Sequence, residues 1–289
     1  MFSHLNEPKF LKNLTKYNFV PQLISSFQDY DFLYLVTTFY QGKYLHTFRM
    51  DNMTEEQIKF ASACIIQGLE CLRKENIIHR DISPVNIIMD DKRYFNLIDF
   101  SFSIEYKNKD VKEFYMNTFD MVTPPEMLEN KKYDFNSDYY RLGSIIYFLI
   151  FKEYPLISKK KKNITDIFVD FKTIDNYTKD CIDFMNKLLT SNYKERIGFK
   201  DINELKNHSW FNGFDWIKLN DKKIKSPFRF IKNEINQSRC TRLALISGEL
   251  SGFKLYSKTD IYNKLIANFN FSNKDIIEKR IKYTSNINN

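Results

Sequence analysis

Apolar residues recur at helical spacing in the most strongly patterned segment of the chain, which begins at Thr54. Thr54-Glu55-Glu56-Gln57 has the form of a capping box, in which the first and fourth side chains satisfy backbone N–H groups at a helix start. The apolar stripe that follows comprises Ile58, Ala61, Cys64, Ile65, Gly68, Leu69 and Leu72. Steps of three and four residues predict a helix with one buried face.

The rest of the chain divides into a strand-rich first third and a helical second half. Pro8 to Leu14 is predicted as a short helix, with Pro8 at its first position. Val20 to Phe27 and Phe32 to Tyr40 are rich in β-branched and aromatic residues, so they predict a hairpin. Short strands are expected between Ile77 and Phe102. Further helices are predicted at 138–151, 177–189 and 202–208, with another around 260–267.

The length and composition indicate the size of the protein and its cellular compartment. The 289 residues, 43% hydrophobic and 16% aromatic, suffice for one large or two small domains with a sizeable core. The longest uncharged apolar run, Leu142 to Phe151, is about half of a bilayer span. The N-terminus lacks the pattern of a secretory signal. We therefore expect a cytoplasmic protein without a transmembrane segment.

Four cysteines, at 64, 71, 181 and 240, are scattered and form no CxxC pair. This spacing favours reduced core thiols over a disulfide framework or a zinc site. The seven glycines are equally scattered and nowhere form a phosphate-cradling GxGxxG or GxxxxGK loop. The net charge of +8 fits either an anionic partner or a lysine-rich surface, and the run from Lys159 to Lys162 fits a solvated loop.

One constellation carries chemistry. His79-Arg80-Asp81-Ile82-Ser83-Pro84-Val85-Asn86 is followed thirteen residues later by Asp99-Phe100-Ser101. A carboxylate five residues before a carboxamide, with a second carboxylate beyond, supplies oxygen ligands for Mg²⁺ and a base that can orient a hydroxyl.

These motifs resemble the HRDxxxxN and DFG loops of eukaryotic protein kinases. The resemblance continues through the APE-like Thr123-Pro124-Pro125-Glu126, the helix start at Ser137 to Gly143, and Arg196, which matches the arginine that pairs with the APE glutamate. Residues 193–198, 207–211 and 215–216 are similar to the AGC group, the relatives of cyclic-nucleotide-dependent Ser/Thr kinases. The motifs keep their order from Leu5 to Phe228.

The resemblance implies a role for each matching residue. Asp81 would be the catalytic base, and Asn86 and Asp99 would hold Mg²⁺ and thereby the nucleotide. Residues 33–40 look like the hinge that contacts adenine, with Thr37 as gatekeeper and Thr38 and Tyr40 as cofactor-binding residues. Leu11, Leu23, His79 and Phe100 match the hydrophobic column that links the two lobes, which is also ordinary core packing.

The resemblance begins inside a helix, after the place of the Gly-rich strands and the phosphate-anchoring lysine. We therefore expect Glu7, which matches the glutamate that pairs with that lysine, to have no partner, and Pro8 to bias it away from helical geometry. Ser83 replaces the catalytic-loop lysine, and Ser101 replaces the DFG glycine.

Further departures concern regulation and specificity. No Ser or Thr lies between Ser103 and Thr118 to give Arg80 the usual phosphorylated partner, although Tyr115 or Glu113 could substitute. Tyr44 and Val85 stand where basophilic relatives carry acidic residues, so an Arg-directed substrate preference does not carry over.

The expected fold class is α+β, a protein-kinase-like, mainly helical large lobe with a truncated small lobe of one helix and a hairpin. Residues 1–40 are the predicted remnant of the small lobe and hinge, 41–228 the large lobe, and 229–289 a C-terminal tail. Phe269 and Phe271 are expected either to pack on the Pro8 to Leu14 helix or to stay exposed.

Three functions follow from the sequence. The first is a degenerate or catalytically impaired kinase that acts as a pseudokinase-like binding or scaffold module, with doubtful ATP and Mg²⁺ binding. The second is an active Ser/Thr kinase whose N-terminal strands are missing from this chain. The third is a basic membrane or nucleic-acid binding protein. For the first two, the expected partners are a protein substrate, partner kinase or regulator, with no DNA or RNA.

Overall fold

The structure is a computed structural model, which describes residues 6–28, 33–106, 123–130, 134–155, 176–229 and 271–272. The α-helices are α1 (Glu7–Leu14), α2 (Glu55–Lys74), α3 (Pro125–Asn130), α4 (Phe135–Phe151), α5 (Lys179–Leu188), α6 (Asn203–Lys206) and α7 (Trp216–Asn220). The strands are β1 (Leu23–Gln28), β2 (Leu33–Thr37), β3 (Ile77–Ile78), β4 (Ile87–Met89), β5 (Phe95–Leu97), β6 (Ile104–Glu105) and β7 (Phe271–Ser272). Short 3₁₀ turns span Leu45–Met50, Pro84–Asn86 and Ser209–Phe211.

Helix α2 is the central helix of the core, and its predicted capping box is confirmed. The Gln57 backbone N–H donates to the Thr54 hydroxyl at 3.3 Å, while the Thr54 N–H donates to the Gln57 side chain at 3.0 Å. Strand β5 lies so close to α2 that a Cβ on Gly68 would come within 2.7 Å of the Leu97 side chain. A glycine is therefore needed where the helix crosses the strand.

The predicted hairpin is confirmed as the antiparallel pair β1 and β2, with Phe27 opposite Tyr34 and Gln28 opposite Leu33. Its turn lies outside the described residues. Helix α1 packs beside β1 and buries Phe10, Leu11 and Leu14. The small lobe among the described residues is thus a helix on a small sheet, as expected.

The sequence did not predict strand β7. Phe271 pairs with Ser26 and Ser272 with Ser25, so the sheet order is β2-β1-β7 and a segment of the C-terminal tail borders the hairpin. Phe269 and the predicted helix around 260–267 lie outside the described residues. The expectation about the side chains of Phe269 and Phe271 therefore stays a prediction.

The segment after α7 is tied to the β4–β5 hairpin. The Lys222 ammonium donates to Asp90 at 2.6 Å and to the Asn96 carboxamide at 3.0 Å. The Tyr94 hydroxyl donates to the Ile224 carbonyl, and the Ser226 hydroxyl donates to the Arg93 carbonyl. These contacts fix the end of the helical region against the strands that precede Asp99.

The helical half differs from prediction at helix ends and in two short helices, α3 and α7, that the sequence did not predict. Helix α4 begins three residues early, at the Asp134 cap, and α6 is only one turn long. A Cβ on Gly143 would meet the Leu188 Cβ at 2.8 Å, which shows how closely α4 approaches α5.

Cys64, Cys71 and Cys181 are buried and unpaired, as expected, while Cys240 lies outside the described residues. Across the described ranges, no helix combines the length and apolarity needed to cross a bilayer.

Candidate active site

Asp81 and Asn86 meet at the loop between β3 and β4. The Asn86 amide nitrogen donates to the Asp81 carboxylate at 2.6 Å and to the Asp81 carbonyl at 3.0 Å. Because both bonds use the amide nitrogen, the Asn86 side-chain oxygen is the atom left to bind a cation. The structure therefore places a carboxylate and an oxygen ligand side by side, at the spacing the sequence suggested.

Strand pairing brings the backbone before Asp99 next to this loop. Ile87 pairs with Leu97 in the β4–β5 hairpin, and the Ile98 N–H donates to the Asn86 carbonyl at 2.9 Å. Asp99 follows directly and has a left-handed φ of 66°. Its carboxylate accepts from the Ser101 hydroxyl at 2.6 Å and from the Ser101 N–H at 3.1 Å.

A buried aspartate positions this loop, and sequence reasoning missed its role. The Asp138 carboxylate, at the start of α4, accepts from the backbone N–H groups of His79 at 2.8 Å and Arg80 at 3.0 Å. Burial raises the pKa of Asp138 to about 6, against the effect of those two hydrogen bonds. An aspartate within an otherwise apolar helix was the signal that could have revealed it.

Arg80 is held from two sides. Its backbone N–H binds Asp138, and its side-chain Nε donates to the Phe102 carbonyl at 2.7 Å. Its φ of 69° is left-handed, an unusual conformation for a residue with a Cβ. Tyr115 and Glu113, the expected alternative partners of Arg80, lie outside the described residues.

Two expectations about Glu7 were wrong. Glu7 is the first residue of α1, so Pro8 does not exclude it from the helix. Its carboxylate also has a partner, because it accepts from the Phe100 backbone N–H at 3.1 Å. Burial raises the pKa of Glu7 to about 7, the neighbouring Asp99 charge adds to that rise, and the Phe100 hydrogen bond opposes it. Sequence reasoning considered only side-chain partners and so missed a backbone donor.

A cavity of about 280 Å³ lies between the hairpin and the β4–β5 strands. The residues that line it are Glu7, Leu11, Pro21, Leu35, Thr37, Thr38, Phe39, Tyr40, Ile88, Ile98, Asp99 and Phe100. Thr38 and Tyr40, the predicted cofactor-binding residues, are both among them, as is Asp99. Asp81 and Asn86 are not, so the predicted site divides into a cavity and an adjoining loop.

The polar groups of Thr38 are mostly engaged within the protein. Its backbone N–H donates to the Gln22 carbonyl at 3.0 Å, and its hydroxyl accepts from the Gln22 N–H at 3.1 Å. A ligand that hydrogen-bonds to the Thr38 backbone would therefore use its carbonyl oxygen.

The residues that match the hydrophobic column lie in the core. Leu11, Leu23, His79 and Phe100 are all buried, and the His79 and Phe100 rings lie 5.0 Å apart between centroids. Burial lowers the pKa of His79 to about 4, so the ring is neutral near pH 7.

A buried ion pair joins α3 to the segment that follows α5. The Arg196 guanidinium binds the Glu126 carboxylate through two hydrogen bonds, of 2.8 Å and 2.9 Å. The predicted pairing of these residues is confirmed, and the Ser137 hydroxyl also donates to Glu126 at 3.0 Å.

The residues present fit Mg²⁺ and do not fit a triphosphate. Asn86 and Asp99 offer the oxygen ligands that Mg²⁺ prefers. In contrast, the residues found to line the cavity include two carboxylates and no lysine or arginine. Kinase sites use cations to hold phosphate groups, and the described lining residues provide no such cation.

A mainly helical region, a hairpin beside it and an Asp-Asn-Asp arrangement at their junction define a protein kinase. The chain matches the protein kinase domain model over residues 3–211 and therefore belongs to that family. It is AGC-like, since the similar curated proteins are AGC-type kinases.

Three relatives illustrate the extent of the similarity. The chain is 27% identical over 236 residues to the Drosophila melanogaster cGMP-dependent protein kinase, isozyme 2 forms cD5/T2, covering 78% of this chain and 25% of that protein. It is 30% identical over 243 residues to the Caenorhabditis elegans serine/threonine-protein kinase sgk-1, covering 82% and 52%. Against human cGMP-dependent protein kinase 2 it is 29% identical over 231 residues, covering 76% and 30%. The chain thus spans from a quarter to about half of the length of these relatives.

Proposed function

We propose that this chain is a kinase-domain binding module in which phosphotransfer is impaired. The observation that carries the proposal is the charge of the cavity, where Glu7 and Asp99 contribute carboxylates and the described lining residues contribute no basic side chain. Phosphoryl transfer depends on positive charge around the transferred group. Two carboxylates at the same place instead oppose binding of a triphosphate.

The loop beside the cavity shows a second deficit. Ser83 stands where the kinase resemblance places a lysine, and its buried hydroxyl has no hydrogen-bond partner among the described residues. A neutral hydroxyl cannot offset charge on a transferring phosphoryl group as an ammonium would. Loss of one such preorganised donor typically costs about 10²–10³ in rate.

The remaining machinery suggests how residual activity would work. Asp81 would accept the proton of a substrate Ser or Thr hydroxyl, and its hydrogen bond to Asn86 holds it in place. Asn86 and Asp99 would bind Mg²⁺, which would supply charge neutralisation at the phosphates. The Thr38 carbonyl and the backbone of Tyr40 would contact the base.

An active Ser/Thr kinase is the second candidate. It is favoured by the intact loop geometry, in which Asn86 contacts Asp81 at 2.6 Å and pairs through its carbonyl with Ile98, next to Asp99. A segment that supplied a lysine to Glu7 would remove the charge deficit of the cavity. The relatives' protein kinase activity makes protein substrates or regulators the partners of either candidate, without DNA or RNA.

Phosphotransfer assays separate the two candidates. The wild-type chain, Asp81→Asn and Ser83→Lys are incubated with Mg-ATP and a degenerate Ser/Thr peptide mixture, and incorporation into peptide and protein is measured. We expect wild type to match Asp81→Asn, and Ser83→Lys to exceed both.

Asp91→Asn serves as the matched control, because Asp91 is an exposed aspartate outside the loop. Turnover of about 1 s⁻¹ or faster, lost in Asp81→Asn and kept in Asp91→Asn, would identify an active kinase and overturn the proposal.

The basic run from Lys159 to Lys162 lies outside the described residues. Membrane or nucleic-acid binding through it therefore stays a prediction from the sequence.

A further inference from the structure

We infer that the cavity selects an uncharged, nucleoside-like ligand over a nucleoside triphosphate. The inference rests on the proposed function, since it names the ligand class of the same site. It follows from the cavity walls, from the charge of its polar groups and from its size.

The walls suit a planar heterocycle. Leu35, Ile88 and Ile98 supply aliphatic surface, and Phe39 adds an aromatic side chain. The Thr38 carbonyl can accept a hydrogen bond from a ring amine, whereas the Thr38 backbone N–H is already bound to the Gln22 carbonyl. Apolar walls with a few placed polar groups are typical of small-molecule sites.

The size of the cavity points the same way. Its volume of about 280 Å³ lies just below the roughly 300–1,000 Å³ range of ligand pockets. A base with its sugar therefore matches the cavity better than a ligand that also carries an extended triphosphate.

The charged groups of the cavity are fixed in place. Glu7 is held by the Phe100 N–H at 3.1 Å, and Asp99 is held by the Ser101 hydroxyl at 2.6 Å. Neither carboxylate forms an ion pair with a lysine or arginine among the residues that the structure describes. Each phosphate added to a bound nucleoside therefore brings negative charge towards uncompensated negative charge.

Magnesium should reduce this discrimination without removing it. Asn86 and Asp99 can share a divalent cation with bound phosphates, which would offset the Asp99 charge. The Glu7 carboxylate, on the α1 side of the cavity, would not be neutralised by that cation. The preference for a nucleoside should thus be strongest in a chelator and weaker in Mg²⁺.

The test is a graded ligand series. Adenosine, AMP, ADP and ATP are titrated into the whole chain by calorimetry at pH 8.5, above the pKa of Glu7, first in EDTA and then in excess Mg²⁺. In EDTA we expect affinity to fall along the series, with adenosine at least about tenfold tighter than ATP. Mg²⁺ should reduce the ratio of adenosine affinity to ATP affinity. Higher ionic strength should also reduce this ratio in the wild-type protein.

Glu7→Gln tests the source of the discrimination, because glutamine keeps an acceptor for the Phe100 N–H while removing the charge. ATP affinity in EDTA should rise severalfold in Glu7→Gln, and adenosine affinity should stay unchanged. The matched control is Glu153→Gln, which removes one negative charge at an exposed residue that does not line the cavity. It should leave the adenosine-to-ATP ratio unchanged.

Binding of ATP as tight as or tighter than adenosine in EDTA would overturn the inference. So would absence of adenosine binding to wild-type protein that shows a cooperative unfolding transition. Both results come from binding without turnover, whereas the proposed function fails only on Asp81-dependent phosphotransfer. The ionic-strength measurement uses no variant, so the inference remains testable if Glu7→Gln does not fold.

Discussion

The Glu7 carboxylate accepts a hydrogen bond from the Phe100 backbone N–H at 3.1 Å, which joins α1 to the segment that carries Asp99. Phe100 is fully buried and its ring lies against His79, so this one contact connects the hairpin region with the loop that carries Asp81 and Asn86. Burial raises the pKa of Glu7 to about 7, which shows that its negative charge destabilises the folded state. Its acceptor oxygen, in contrast, stabilises the fold by satisfying the Phe100 N–H.

The two roles of Glu7 can be separated by substitution. Glu7→Ala removes the acceptor and leaves the Phe100 N–H without a partner, so we expect a loss of about 1–3 kcal/mol in the free energy of unfolding. Glu7→Gln keeps an acceptor and removes the charge, so it should lose less. Urea denaturation at pH 8 measures both. Equal losses in the two variants would show that the hydrogen bond does not support the fold.

Asp138 should control the order of the catalytic loop as well as stability. Asp138→Ala leaves the N–H groups of His79 and Arg80 without their acceptor, so we expect about 2–4 kcal/mol of destabilisation. Asp138→Asn can still accept one of the two bonds and should be milder. Hydrogen exchange at the His79 and Arg80 amides should accelerate in both variants beyond the change in global stability.

A capping residue on the same helix provides the control for Asp138. Asp134 caps α4 by accepting from the Asn136 N–H at 2.7 Å and does not contact the loop. Asp134→Ala should cost about 1 kcal/mol and leave exchange at residues 79 and 80 at the rate set by global unfolding. Equal loop protection in Asp138→Ala and Asp134→Ala would contradict the positioning role.

Removing one partner of the Arg196–Glu126 ion pair should strongly lower the free energy of unfolding. Arg196 is 1% exposed and Glu126 is 5% exposed, so Arg196→Met leaves a buried carboxylate without its cation. We expect a loss of about 3–5 kcal/mol, and adding Glu126→Leu should recover part of it. Thermal or urea unfolding measures the series.

An exposed ion pair gives the contrast. Lys9 and Glu105 are joined at 3.0 Å, but their side chains are 58% and 44% exposed. Lys9→Met should change stability by less than about 1 kcal/mol. A similar loss of unfolding free energy in Lys9→Met and Arg196→Met would mean that burial does not determine how much each ion pair contributes to stability.

Features encoded locally were predictable from the sequence. The capping box at Thr54 and the stripe from Ile58 to Leu72 specify α2, and two segments rich in β-branched and aromatic residues specify the hairpin. The loop motif around Asp81 was identifiable because its residues lie five apart. Its meeting with Asp99 was implied by the family resemblance and is now explained by the Ile87–Leu97 pairing.

Features that depend on long-range contacts were not predictable. Strand β7 has only two residues, so it leaves no periodic pattern, and it forms because the edge of β1 offers backbone partners. The Glu7 contact uses a backbone donor 93 residues away, which no side-chain pattern records. Asp138 likewise binds amides about 60 residues earlier in the chain.

His79 should make stability depend on pH in a defined direction. Burial lowers the pKa of His79 to about 4, below its ordinary value of 6.5. As pH falls, His79 is protonated near pH 6.5 in the unfolded chain, whereas in the folded protein it stays neutral down to about pH 4. The contribution of His79 to the free energy of unfolding is therefore complete above about pH 6.5 and is lost between pH 6.5 and pH 4. The loss at pH 4 should be about 3 kcal/mol. Glu7 and Asp138, whose pKa values are raised, act in the opposite direction, whereas Glu70 and Asp183, whose pKa values are lowered by their lysine partners, act in the same direction. The wild-type curve alone therefore does not isolate this effect.

The comparison with His79→Phe isolates it. Phenylalanine keeps an aromatic ring against Phe100 but cannot titrate, and it also loses the hydrogen bond that His79 Nδ1 accepts from the Asp81 N–H at 3.3 Å. The unfolding free energy of wild type minus that of His79→Phe should therefore be constant at pH 7–8 and should decrease steadily below pH 6.5. Unfolding free energies of both proteins from pH 4.5 to 8 give the difference directly. A difference that is constant with pH, or that grows as pH falls, would show that His79 does not remain neutral in the folded protein.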